Sequence, residues 1–222
     1  DNTYTAHLFV RQRLYAAPHY YQNVPIQITF FDSQLNPYTE TFVVSGGCTQ
    51  VATTLPFYPG HAALDWNQLL NDATTDQHLT LKQTGTIAFD DEKMSVTVNN
   101  ITDSTLLHVS HHWVMPDRLD IPNPNLKLSP NRYWHIGGYQ TGTFSASAVF
   151  TYNGSNSTNG GYLDNALISG SENNLRLLYR ASSANDWTTL PSAQYTINTQ
   201  GSSTDKKGTI SLTNLQFGEY AL

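Results

Sequence analysis

Apolar residues recur at every second position along most of this chain, and that period decides what it can fold into. In Val24-Pro25-Ile26-Gln27-Ile28-Thr29-Phe30 the apolar positions 24, 26, 28 and 30 share one face. Met94–Val98, Phe144–Phe150 and Leu175–Arg180 repeat the alternation. Successive strand residues point to opposite faces, whereas a helix needs a period of about 3.6, which is almost absent here. Clusters of turn residues separate the strands at Asp32–Pro37, Ser45–Gly47, Asp90–Lys93, Asn153–Gly161 and Thr199–Gly208. Many short strands with such punctuation mean sandwiches or barrels.

The expected fold is therefore all-β: two consecutive antiparallel β-sandwiches of immunoglobulin or fibronectin type, with very little helix. Pro25 suggests an edge position for its strand, because proline donates no ladder hydrogen bond. The one helical candidate is Trp66–Ala73, two turns with Asp65 as N-cap, which would close the first sandwich. The expected division is residues 1–82, with four or five strands, and 83–222, with seven or more. Asn153–Gly161 reads as a flexible loop inside the second part, too short to link domains.

Charge narrows the function classes. Charged residues are only 13% of the chain, roughly half the usual share of about 25%. Thr, Ser, Asn and Gln carry the polar surface instead, which suits a periplasmic or extracellular β protein. A net charge of −6 leaves no basic patch to neutralise phosphates and argues against nucleic acid. No apolar run approaches the ~18 residues of a membrane span, and no signal peptide is visible. The opening YTAHLFVRQ begins in mid-strand, as an excised or processed fragment would. Cys48, the sole cysteine, gives no disulfide framework and reads as an inert thiol rather than a nucleophile.

The stretch Leu106–Trp134 holds three histidines within five residues, at 108, 111 and 112. On an extended strand His111 and His112 face opposite sides and cannot share an ion. His108 and His112 share a face, but lie roughly 13 Å apart at ~3.3 Å per residue, too far for two zinc bonds of about 2 Å. A neighbouring strand carrying His135, with Asp117 close by, is the arrangement that would make His108, His112 and His135 candidate metal ligands. His111, among Leu107, Val109 and Trp113, reads as a satisfied core histidine.

Other chemistry lacks its motifs. His-Glu-x-x-His, Gly-x-Ser-x-Gly and phosphate-cradling glycine loops are all absent from the sequence. Asp164 and Glu172 have no spacing that supports a glycosidase pair and read as surface turn carboxylates. Asp90-Asp91-Glu92 lacks the remaining ligands and the glycine of an EF-hand. Trp113, Trp134 and Trp187 are candidates for a sugar-stacking platform. Yet Trp113 alternates with apolar neighbours and Trp134 adjoins Tyr133, so core packing is the simpler reading. Arg180 and Asp186 flank the Tyr179–Trp187 turn and are expected to hold the last strands together. No catalytic residue, metal or cofactor is expected of this chain.

Two passages carry a family resemblance. The first is Phe9-Val10-Arg11-Gln12, Val24–Asp32, Leu55-Pro56-Phe57-Tyr58-Pro59 and Ala63-Leu64-Asp65. It resembles the small β-sandwich that follows the peptidase domain in bacterial zinc aminopeptidases of the M1 (gluzincin) family. The second is His111–Asp117, Leu128–Trp134, Leu177–Arg180, Asp186-Trp187, Gly208-Thr209-Ile210 and Gly218–Leu222, which resembles an extra β domain in a subgroup of that family. The family's Gly-x-Met-Glu-Asn and His-Glu-x-x-His motifs and its helical C-terminal domain are missing. The resemblance thus implies a non-catalytic accessory portion whose partner is an N-terminal catalytic domain of the same polypeptide, upstream of Asp1, which would hold the zinc. The alternative is a carbohydrate- or cell-surface-binding sandwich module.

Overall fold

The chain is all-β in the computed structural model, which describes residues 3–14, 17–70, 72–156 and 162–222. It divides into two compact units, residues 1–72 and 73–222.

The first unit contains β1 (Tyr4–Arg11), β2 (Val24–Phe31), β3 (Pro37–Val44), β4 (Cys48–Leu55) and β5 (His61–Leu64). β1 pairs antiparallel with β4, and a second sheet runs β3-β2-β5. The alternating positions of β2, Ile26, Ile28 and Phe30, meet Val51 and Leu55 of β4 and Val44 of β3 in a small core. β2 is thus a central strand, not an edge. It tolerates Pro25 because β5 pairs only with Ile28–Phe31, so the chain beside Pro25 is open on that side. Trp66–Ala73 is not helical over its described residues. Asp65 and Gln68 take left-handed φ angles of 49° and 53°, which a helix cannot contain. Asp65 nevertheless does a cap's work, accepting from the Leu69 and Leu70 backbone N–H groups at 2.9 and 2.8 Å.

The second unit contains β6 (Thr74–Leu81), β7 (Gly85–Phe89), β8 (Met94–Ile101), β9 (Thr105–His112), β10 (Tyr133–Gln140) and β11 (Phe144–Asn153). It continues with α1 (Tyr162–Asn165), a 3-10 turn (Glu172–Asn174), β12 (Leu178–Arg180), β13 (Thr188–Thr189), β14 (Tyr195–Thr199), β15 (Lys207–Leu212) and β16 (Gly218–Ala221). One sheet runs β13-β12-β16-β10-β9-β6 and the other β14-β15-β11-β8-β7. β6, which lies before position 82, pairs with β9 along its whole length and so belongs to this unit. The alternation of Met94, Val96 and Val98 on one sheet and of Leu107, Val109, Trp134 and Ile136 on the other builds the core between them. Of Leu175–Arg180 only the last three residues form a strand. Residues 157–161 of the Asn153–Gly161 loop lie outside the described residues. No helix of the described residues is long and apolar enough to cross a membrane.

Candidate functional site

β9 is extended and paired on both sides, so its imidazoles do alternate. The strand ends at His112, and Trp113–Met115 lie beyond it. On the face turned away from the core, register lines up Asp76 of β6, Ser110 of β9, His135 of β10, Glu219 of β16 and Arg180 of β12 in one transverse row. The row to one side contains His78 and His108, and the row to the other contains Thr74, His112, Tyr133, Ala221 and Leu178. His135 therefore sits opposite Ser110, one row from each of His108 and His112. Sequence reasoning placed these three histidines as potential neighbours and Ser110 as a hydrogen-bond partner for them, but missed Asp76, His78 and Glu219. Their signal was the shared parity of polar residues on strands that proved adjacent.

The side chains of this face are engaged with one another. His108 Nε2 meets Asp76 Oδ2 at 2.8 Å, and its ring lies edge-on to His78 with centroids 6.3 Å apart. Burial, then the neighbouring His108 ring, lowers the His78 pKa against the pull of Asp76. His112 stacks on Tyr133 at 4.3 Å and meets Thr74 Oγ1 through Nδ1 at 3.2 Å. Among the described residues no group of three His, Cys, Asp or Glu could hold a metal ion.

Ser110, His108 and Asp76 have the residue types of a nucleophile triad, but their wiring is wrong for one. The hydroxyl, at 3.5 Å, and the carboxylate, at 2.8 Å, both approach Nε2. A relay needs them on opposite ring nitrogens, so that one orients the ring while the other yields its proton. Ser110 is also buried.

The far end of the row is a clamp. Arg180 donates from Nε to Glu219 at 2.5 Å and from Nη2 to Asp117 at 3.0 Å, with its guanidinium 4.4 Å from the Trp187 ring centroid. Arg180 thus joins β12 to β16, as expected, and Asp117 is part of this clamp. Asp186 does not hold the last strands. It accepts from the backbone N–H groups of Asp120 and Ile121, and with the Arg180–Asp117 bond it straps residues 114–128 over Tyr133, Leu178, Trp187 and Ala221.

Other candidates move inward. His111 is a core histidine, stacked on Trp134 at 5.2 Å with a 13° tilt, but it is not satisfied: neither ring nitrogen has a hydrogen bond of good geometry. Burial, then Arg132, lowers its pKa to about 3, only partly opposed by the Asp91 carbonyl. Asp164 and Glu172 are fully buried, not surface carboxylates. Asp164 takes a two-pronged bond from Arg132 at 3.0 and 2.6 Å, and Glu172 accepts from the Tyr152 hydroxyl and the Lys207 N–H. Trp134 is inside the main core, Trp187 lies under the strap, and Trp113 packs on His111, so the three do not form an exposed plane. Cys48 is an exposed free thiol. The comparisons with families of known proteins, with curated proteins and with solved structures return no match.

Proposed function

We propose that this chain is a non-catalytic accessory portion of a secreted or periplasmic M1-type metallo-aminopeptidase, packing against its catalytic domain and positioning it. The observation that carries this reading is where apolar surface is left in water. Of the ten large apolar side chains exposed among the described residues, eight lie in residues 1–72: Phe9, Tyr20, Tyr21, Tyr38, Val43, Tyr58, Leu64 and Leu69. So many large apolar side chains left in water by one small unit are the material of an interaction surface. The commitment of His108, His112, Asp117 and Arg180 to structural contacts on the second unit supports the same reading, as does the resemblance in Phe9–Gln12, Val24–Asp32 and Leu55–Pro59.

Three measurements test it. The reading frame upstream of Asp1 is expected to encode a His-Glu-x-x-His helix; a frame without one ends the M1 assignment. Amide exchange at Phe9–Gln12, Tyr20–Asn23 and Leu69–Leu70 is expected to slow in the whole protein relative to the chain alone. Equal exchange in both removes the docking role. Turnover of aminoacyl substrates by the chain with added zinc would overturn the non-catalytic assignment.

A further inference from the structure

Two clefts of the larger unit lie on either side of Arg176. One, of about 550 Å³, is lined by Asn173, Thr189, Leu190, Ser192, Tyr195 and Ile197. The other, of about 400 Å³, presents Asn125, Lys127, Ser169, Ser171 and Asn174 above an apolar floor that includes Leu178. Each is within the roughly 300–1,000 Å³ of small-ligand sites. In a chain of net charge −6, the only charged residues lining either cleft are cations, Arg176 and Lys127. Glu172, the carboxylate nearest in sequence, is buried and bonded to Tyr152 and Lys207 instead.

Arg176 is held but not used up. Its Nη1 donates to the backbone oxygens of Asn173 at 3.0 Å and Leu175 at 2.7 Å, while Nε and Nη2 have no hydrogen-bond partner among the described residues. A guanidinium fixed at one corner offers its remaining edge as two parallel donors. That fork suits the paired oxygens of a carboxylate or sulfate, which a lone hydroxyl does not present. Around it are neutral hydroxyls and amides (Ser169, Ser171, Asn174, Asn173, Thr189, Ser192), which are partners for a polyol rather than for a dense polyphosphate.

We infer that the two clefts form one site for an acidic saccharide, whose carboxylate or sulfate docks on Arg176 while its hydroxyls meet the flanking side chains. This site is on the second unit and does not depend on the docking role assigned to the first.

Calorimetric titration of the whole chain with oligogalacturonate, with a size-matched sulfated dextran and with neutral dextran tests it and separates the two anion sources. Binding of at least one acidic probe, and none of the neutral one, is expected. Arg176→Gln is expected to weaken that binding at least roughly tenfold, because a bond to a charged group is lost. Arg176→Lys should restore only part of it, and Lys127→Gln should cost less. Both side chains are exposed, and the bonds lost, from Arg176 to the Asn173 and Leu175 carbonyls and from Lys127 to the Ala166 carbonyl, are at or near the surface, so the melting curves should move little. Binding of neither acidic probe, equal binding of neutral dextran, or an unchanged affinity in Arg176→Gln would each overturn the site.

Discussion

Among the described residues, 1–72 bury one polar side chain, Thr29, and expose eight of the ten large apolar ones, whereas 73–222 bury eleven polar or charged side chains and expose two large apolar ones, Met115 and Ile121. Size explains part of the contrast. A small sandwich buries a smaller fraction of its surface than a large one, and among the described residues the core cluster of the first unit has six buried residues against twenty-two in the main core of the second. Size does not explain why charges go inside the larger unit. Buried ion pairs there replace apolar packing where loops cross the sandwich: Arg132–Asp164 fixes α1 against β11, and Arg180–Glu219 fixes β12 to β16. The first unit is thus held by its apolar core, and the second by a larger core plus bonds that fail if one partner is removed.

The sharpest test of that difference is Asp164→Asn. It leaves the Arg132 guanidinium buried without a counter-charge, and breaking a buried pair in this way costs about 3–5 kcal/mol. The denaturant transition of the second unit should shift by that amount, read by amide exchange in β9 and β11, while β2 of the first unit keeps its protection. The double variant Arg132→Met/Asp164→Leu should recover much of the loss. A single variant as stable as the parent would mean that the pair holds nothing.

The next effect is pH-dependent and also confined to the second unit. His111 stays neutral in the fold to about pH 3, while an unfolded histidine protonates near 6.5. Between those values the unfolded chain binds a proton that the folded chain refuses. Stability is therefore full above pH 6.5 and falls as pH drops towards 3, by about 4 kcal/mol over the whole window. Arg132, His112 and Lys93 face the ring and disfavour its proton, and the Asp91 carbonyl favours it. His111→Phe should flatten this acid slope and, by removing two unsatisfied nitrogens, raise stability at pH 7 by roughly 1 kcal/mol. An acid slope unchanged in His111→Phe would place its origin elsewhere. A smaller effect belongs to Asp117, which is 44% exposed. Asp117→Asn leaves Arg180 its bond to Glu219 and should cost under about 1 kcal/mol, seen mainly as faster exchange in residues 114–121.

How much of this was legible in the sequence follows the same division. Period-2 alternation announced the strands and their core faces in both units, because it is local: Ile26, Ile28 and Phe30, or Met94, Val96 and Val98, carry it by themselves. The partners of polar side chains were not legible, because they depend on which strands become neighbours. His108 finds Asp76 thirty-two residues away, and Arg132 finds Asp164 at the same separation. Nothing local distinguishes such a carboxylate from one on a surface turn, which is how Asp164 and Glu172 were misread. The expected helix after Asp65 failed for another reason. An acidic cap before apolar residues fits a helix or an Asx-type turn equally well, and only the left-handed φ angles at Asp65 and Gln68 decide between them.

The smallest expected effect bears on the first unit and decides what its apolar surface means. Phe9 sits on the outer face of β1 opposite Gln50, Val43 on β3 opposite Pro25, and all but a fraction of neither side chain is buried: they are 68% and 60% exposed. Phe9→Ser and Val43→Thr should each change stability by less than about 0.5 kcal/mol, since surface positions without special contacts rarely matter more. If these side chains are only the surplus of a sandwich too small to hide them, the substitutions should alter nothing but solubility. If they are a docking surface, the same variants should leave the melting curve in place while loosening the first unit's attachment in the whole protein. Limited proteolysis separates the two, because a docked unit shields its own loops and a released one does not. Faster cleavage at Tyr20–Asn23 in Phe9→Ser, with an unchanged melt, is the expected result. Unchanged cleavage would reduce the contrast between the two units to one of size.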